Sequence, residues 1–153
     1  MGTPNNDITN KHIIVPLIPY FDKPNANGRI YTEECIDNMV AQFNERIVPM
    51  FGQMGFPDDC MSPITMASHE VTKIWKDPDA KQLMGEIKLI DTPDGRAISE
   101  MVKRGMIVFR SRSLGTVNPD NTVNITKLIS FDAISYQDDG FNPDIKPTEE
   151  PPL

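Results

Sequence analysis

Hydrophobic positions along the chain switch between a period of two and a helical period, and each switch marks an element boundary. The polar opening, residues 1–10, predicts a loose N-terminus. Ile13-Ile14-Val15-Pro16-Leu17-Ile18 predicts a strand, and Pro16 places it at a sheet edge or a bend. Residues 21–28, rich in Asn, Pro and Asp, predict a turn or loop. Thr32 then stands as the N-cap of an amphipathic helix, with Glu33 and Glu34 in the first turn, where the helix dipole favours acids. Ile36, Met39, Val40, Phe43 and Ile47 follow at helical spacing and predict its core-facing stripe.

Residues 51–63 carry two glycines and two prolines and predict irregular chain. Residues 64–75 predict a strand, Asp77-Pro78-Asp79 a turn, and residues 83–90 the hairpin partner. In that partner Leu83, Gly85, Ile87 and Leu89 alternate with Met84, Glu86, Lys88 and Ile90. Thr92-Pro93-Asp94 starts a second helix, an N-cap followed by proline at the first helical position. Ala97, Ile98, Met101 and Val102 form its apolar face and Gly105 stops it. Residues 106–113 predict a strand, Asn118-Pro119-Asp120-Asn121 a turn, and residues 123–136 a long or bent strand. The pattern implies an α+β fold: a curled or barrel-like, mostly antiparallel sheet with two main flanking helices. It spans one domain, residues 1–136. Residues 137–153, with four prolines and several acids, predict an extended tail.

Composition narrows the partners. A chain of 153 residues suits one domain and can bury roughly two-thirds of its unfolded surface. A net charge of −7 disfavours nonspecific binding to nucleic acid or to an anionic membrane. No apolar run approaches the roughly 20 residues of a membrane span, and the polar start does not resemble a signal peptide. Cys35 and Cys60 have no metal-ligand spacing, so reduced thiols are expected, without a zinc site or a disulfide framework. The chain has no phosphate-cradling glycine loop and no G-x-S-x-G elbow. No cofactor, metal or small-molecule ligand is expected. The protein is expected to be made and used inside a cell, or inside a particle assembled there.

The densest chemistry is Arg110-Ser111-Arg112-Ser113. On a strand, Ser111 and Ser113 share one face and Arg110 and Arg112 the other. Taken alone, the stretch predicts an exposed polar strand face. The arginines are poor phosphate readers, because no basic patch surrounds them. A serine nucleophile needs a base within hydrogen-bond reach. His69, between Ser68 and Glu70 on a predicted strand, is one candidate base, although a lone strand histidine is more often structural; His12 is a poorer one. Asp91, Asp94 and Asp132 show no paired-carboxylate spacing.

Four segments, in order, resemble blocks of the prohead core protease family of tailed phages, whose fold is similar to that of the herpesvirus assemblins. Asn25-Ala26-Asn27-Gly28-Arg29-Ile30-Tyr31, ahead of the first helix, resembles the family's N-x-N-x-R-x-Y block. Gly52-Gln53-Met54-Gly55-Phe56-Pro57 resembles its G-E-x-x-H-P block. Residues 85–96, ending in Thr92-Pro93-Asp94-Gly95-Arg96, resemble the strand and T-P-x-G-R turn before its second helix. Residues 105–116 resemble its G-x-x-x-G-x-S-S-R-G-L-G block, and Phe131-Asp132-Ala133 the x-D-A of the next strand.

The resemblance implies a capsid-maturation serine protease whose base is the histidine of the second block and whose nucleophile is the first serine of S-S-R. Here Phe56 and Arg110 stand at those places. Ser111 matches the second serine, Arg112 the arginine, and Ser113 replaces a glycine. Phenylalanine accepts no proton, and arginine, effectively always protonated, is no nucleophile. Two readings follow. One is a non-catalytic relative in a phage head, a decoration, auxiliary or internal protein that binds capsid or other head proteins, or itself. The other is an active protease with a shifted site, Ser111 or Ser113 with His69. An unrelated α+β domain would lack the curled sheet with two helices.

Overall fold

The alternation at residues 82–89 dictates the centre of the molecule. In the computed structural model, which describes residues 11–55, 57 and 64–135, Gln82–Leu89 is the strand β4. Leu83, Gly85, Ile87 and Leu89 are all buried, with partly exposed residues between them. The preceding strand β3 (His69–Asp77) pairs with it antiparallel, and so does β1 (His12–Ile18) on its other side. A short strand β2 (Met50–Gly52) completes a four-stranded sheet in the order β1-β4-β3-β2. Pro16 sits on the edge strand, beside a register irregularity between Pro16 and Ile18.

The remaining strands, β5 (Ile107–Val117) and β6 (Val123–Ser135), form a separate antiparallel ribbon. The ribbon packs β5 on β1 and β6 on β2, the two edges of the sheet. It is joined to β2 by chain 53–55, which runs parallel to β6 at Met54 and Ala133. There Ala133 N–H donates to Gln53 O (2.9 Å) and Gly55 N–H to Ala133 O (2.8 Å). The sheet is curled but not a barrel. Among the described residues the ladder passes through this joint on one side and is closed only by packing on the other.

Each helix packs across one strand of the ribbon and one strand of the sheet. Thr32 caps α1 (Glu33–Glu45), its hydroxyl accepting from Cys35 N–H at 3.0 Å, and Cys35, Ile36, Met39 and Phe43 are buried. The helix ends earlier than the stripe implied. Arg46, at the C-cap, donates from Nη1 to Phe43 O (2.7 Å) and lies 3.5 Å over the Phe43 ring. Ile47 therefore falls outside the helix and is 97% exposed. Two helix amides meet β6: Asn38 Nδ2 donates to Ile125 O (2.8 Å), and Leu128 N–H donates to Gln42 Oε1 (2.7 Å). That stretch of β6 carries two register shifts, where Ile129 and Thr126 are skipped in the pairing with β5. Backbone groups that leave the ladder at a bulge need other partners, and α1 supplies two.

Thr92 caps α2 (Pro93–Lys103) through Gly95 N–H at 3.0 Å, with Pro93 in the first turn as the sequence implies. Three further expectations shift. Residues 64–66 are a 3-10 turn with Ile64 and Met66 exposed, so β3 begins only at His69. Residues 50–52, partly within the stretch expected to be irregular, form β2. β5 runs to Val117, four residues past its expected end at 113. The expected loose start 1–10, the tail 137–153, Phe56 and Cys60 lie outside the described residues.

Candidate functional site

β5 carries Arg110 to Ser113 into the interior rather than along an exposed face. Arg110, Ser111, Arg112 and Ser113 are 6, 7, 2 and 4% exposed. The solvated strand face expected from these residues is overturned, because β5 is covered twice. β1 packs against it, and Tyr31, itself buried, is hydrogen-bonded to the Ser111 side chain. Tyr31 is set by the loop ahead of α1. Asn25 Oδ1 accepts from Asn27 N–H (2.9 Å) and Arg29 N–H (3.0 Å), and Gly28 supplies the positive φ (82°) that the turn requires.

Arg110 and Arg112 share a face, as alternation demands, and both approach Asp132. Arg110 is directly opposite Asp132 in the β5–β6 register. Arg112, two pairs further along, reaches back diagonally and holds the carboxylate with two bonds, Nε to Oδ2 at 2.9 Å and Nη2 to Oδ1 at 3.0 Å. Oδ1 also accepts from Gln53 N–H at 2.9 Å. Burial pushes the Asp132 carboxyl upward, against the opposing pull of the Gln53 amide and both guanidiniums. Burial also lowers Arg110, while Asp132 and Tyr31 favour its charged form and Arg112 opposes it. The arrangement is a buried charge cluster of two cations around one anion, tied to the joint between ribbon and sheet.

His69 belongs to the same joint. It is fully buried. Its Nε2 lies 2.7 Å from Phe131 O and its Nδ1 2.8 Å from Ser68 Oγ. A carbonyl oxygen only accepts, so Nε2 carries the proton and Nδ1 accepts from the Ser68 hydroxyl. Burial keeps the ring neutral, lowering its pKa to about 4, with Phe131 O pulling upward and Arg112 downward. The ring meets Phe109 edge-on, centroids 5.1 Å apart. Gly52 is its counterpart: a Cβ there would overlap both His69 Nε2 and Phe131 O. Both ring nitrogens are thus engaged, and among the described residues neither bonds Ser111 or Ser113.

The structure therefore gathers Arg110, Ser111, Arg112, Ser113 and His69 into one buried region. Phe56 lies outside the described residues, and its neighbour Gly55 is bonded to Ala133. His12 is elsewhere, exposed on β1 with Nδ1 3.3 Å from Glu86 Oε1. Cys35 is buried, and its thiol is pushed up to about 12, which leaves it unreactive. Among the described residues no group of three or more His, Cys, Asp or Glu could hold a metal ion. No helix there is long and apolar enough to cross a membrane. Sequence reasoning missed the roles of Ser68, Tyr31, Gln53 and the Arg112–Asp132 pair. The last had a signal, since Arg112 and Asp132 both stand in recognised blocks on adjacent strands.

No protein-family model matches the chain, and no curated protein matches it. Among solved structures, the bacteriophage T4 capsid assembly protease gp21 is similar in fold. The TM-score is 0.68 over 80% of each chain, at 20% sequence identity. The α+β architecture, with mostly antiparallel strands and two helices, is thus shared with that protein.

Proposed function

We propose that this chain is a non-catalytic, capsid-protease-like protein of a phage head, acting by binding capsid or other head proteins. The observation that carries the reading is Arg110. It stands on β5 at the position the resemblance assigns to the nucleophile, buried against Asp132. A guanidinium there cannot attack a carbonyl, and its positive charge opposes protonation of any nearby base. Phe56 at the base position removes the other half of the pair. The association with heads rests on the fold of the T4 capsid assembly protease, not on a binding motif in this chain.

The competing reading, proteolysis by Ser111 or Ser113 with His69, requires rearrangement. His69 would have to leave Ser68 or Phe131 O, and Ser111 would have to leave Tyr31. Incubation of the purified chain with capsid and scaffold proteins separates the two readings. No cleavage, and no labelling by a fluorophosphonate, is expected. Cleavage abolished by Ser111→Ala or Ser113→Ala would overturn the proposal. Mass spectrometry of purified virions tests the location: the chain is expected in the particle, and its absence would remove the structural role.

A further inference from the structure

The loop ahead of α1 holds the only Asn-Gly step in the sequence, Asn27-Gly28. A glycine after an asparagine has no side chain to keep its backbone nitrogen away from the asparagine's side-chain carbon. Gly28 is exposed, and nothing lies within 4 Å of where its Cβ would stand. The amine that would leave is not held either. Asn27 Nδ2 is buried and, among the described residues, has no hydrogen-bond partner. A buried donor left unmade costs free energy for as long as it is there. Other asparagines differ. Asn38 lies within α1 with its Nδ2 bonded to Ile125 O. Asn118 precedes Pro119, whose nitrogen carries no hydrogen. Asn124 precedes the β-branched Ile125 within β6.

We infer that Asn27 is a self-modification site, converted to aspartate and isoaspartate by its own neighbour, and that Asn25 sets the rate. The Gly28 nitrogen bonds to Asn27 Cγ and the Cγ–Nδ2 bond breaks. The Gly28 proton departs with the amine as ammonia, and a cyclic imide remains. Water then opens the ring at either carbonyl, and no oxidant or reductant takes part. The folded turn holds this back. Gly28 N–H donates to Asn25 O at 2.9 Å, and Asn25 Oδ1 accepts from Asn27 N–H and Arg29 N–H at 2.9 and 3.0 Å. The attacking nitrogen is released only when the turn opens, so the reaction runs through a locally opened fraction. Isoaspartate does not refit the turn. It routes the backbone through the former side chain and lengthens it by a carbon between 27 and 28, the stretch that the Asn25 oxygen spans. Tyr31, set by this loop and bonded to the Ser111 side chain, is the buried residue that loosens. The inference stands whether or not the chain is catalytic.

The test is incubation of the full chain at mildly alkaline pH, followed by peptide mapping with mass spectrometry and an enzymatic assay for isoaspartate. The peptide containing Asn27 is expected to gain the mass of an NH2-to-OH exchange, with isoaspartate among the products. Asn25→Ala is expected to raise the rate about fivefold, the weight of one hydrogen bond in the opening equilibrium. Urea below the unfolding transition opens the turn without a substitution and is expected to raise the rate of the parent too. Asn27→Gln, whose ring would be larger, is expected to stay unmodified. In the modified chain, amide exchange is expected to speed at Tyr31 and Ser111. An Asn27 that stays intact while the same loop converts as a short free peptide would overturn the inference. A folded Asn25→Ala chain that reacts at the parent's rate, with a rate also flat in mild urea, would remove Asn25 as the control. Unchanged exchange at Tyr31 and Ser111 after modification would sever the link to β5.

Discussion

Arg112 is the largest fully buried side chain of the described residues, and its guanidinium is paired with the buried Asp132 carboxylate. Removing one partner of such a pair strands the other in a poor solvent. Asp132→Ala is expected to cost about 3–5 kcal/mol, read from urea denaturation. Adding Arg112→Met to that variant is expected to recover part of the loss, because the stranded cation goes too. A single variant as stable as the parent would show that Arg112 reaches water without Asp132. Gly52→Ala is expected to cost about 1–3 kcal/mol, since the new methyl meets His69 and Phe131 O. His69 makes stability depend on pH. Its folded pKa of about 4 lies below the ordinary 6.5, so the unfolded chain binds the proton first. This contribution is fully present above pH 6.5 and is lost as pH falls from 6.5 to 4, by about 3 kcal/mol for the whole shift. The His69 imidazole, assigned by its loss in His69→Gln, titrating near 6.5 by NMR in the folded protein would contradict it.

At the level of elements, signals decided within a turn or a strand are legible in the sequence and those set by distant partners are not. Thr92-Pro93 and Thr32 start helices because capping is decided within a turn, and residues 83–89 alternate because one face is buried. Thr92→Ala is accordingly expected to destabilise α2 by about 1 kcal/mol, measured as faster amide exchange along 95–99. Ile47 was misplaced because apolar spacing alone cannot see Arg46 closing the helix over Phe43. The Arg-Ser-Arg-Ser stretch was misplaced for the opposite reason. Polar residues predict exposure unless their partners are known, and those partners, Asp132 and Tyr31, are 20 or more positions away in sequence. Pairing register supplies Asp132, and the Asn25 loop supplies Tyr31.

Across the whole molecule, one small joint determines whether ribbon and sheet behave as a unit. Gln53, Gly55, His69 and Asp132 tie β3 and the chain just after β2 to β6 through four hydrogen bonds, at Gln53 N–H, Gln53 O, Gly55 N–H and His69 Nε2. Loosening it with Asp132→Asn is expected to speed amide exchange at Gln53, Gly55 and Ala133 while the β3–β4 ladder stays protected. Uniform acceleration across all strands would mean that the ribbon has no independence. The resemblance that placed the nucleophile and base blocks also placed this joint, since both blocks border it. What the blocks could not convey is that the joint is filled with charge and a neutral imidazole.

Gly52 and His69 also bear on how such a chain can drift. The imidazole occupies the space that a side chain at position 52 would need, so neither position can be replaced freely on its own. A larger residue at 52 would have to displace both the ring at 69, with its bond to Phe131 O, and the Phe131 carbonyl itself. Shrinking residue 69 removes only one of the two obstacles. A library randomised at both positions is therefore expected to keep glycine at 52 in nearly all its folded members, whatever stands at 69.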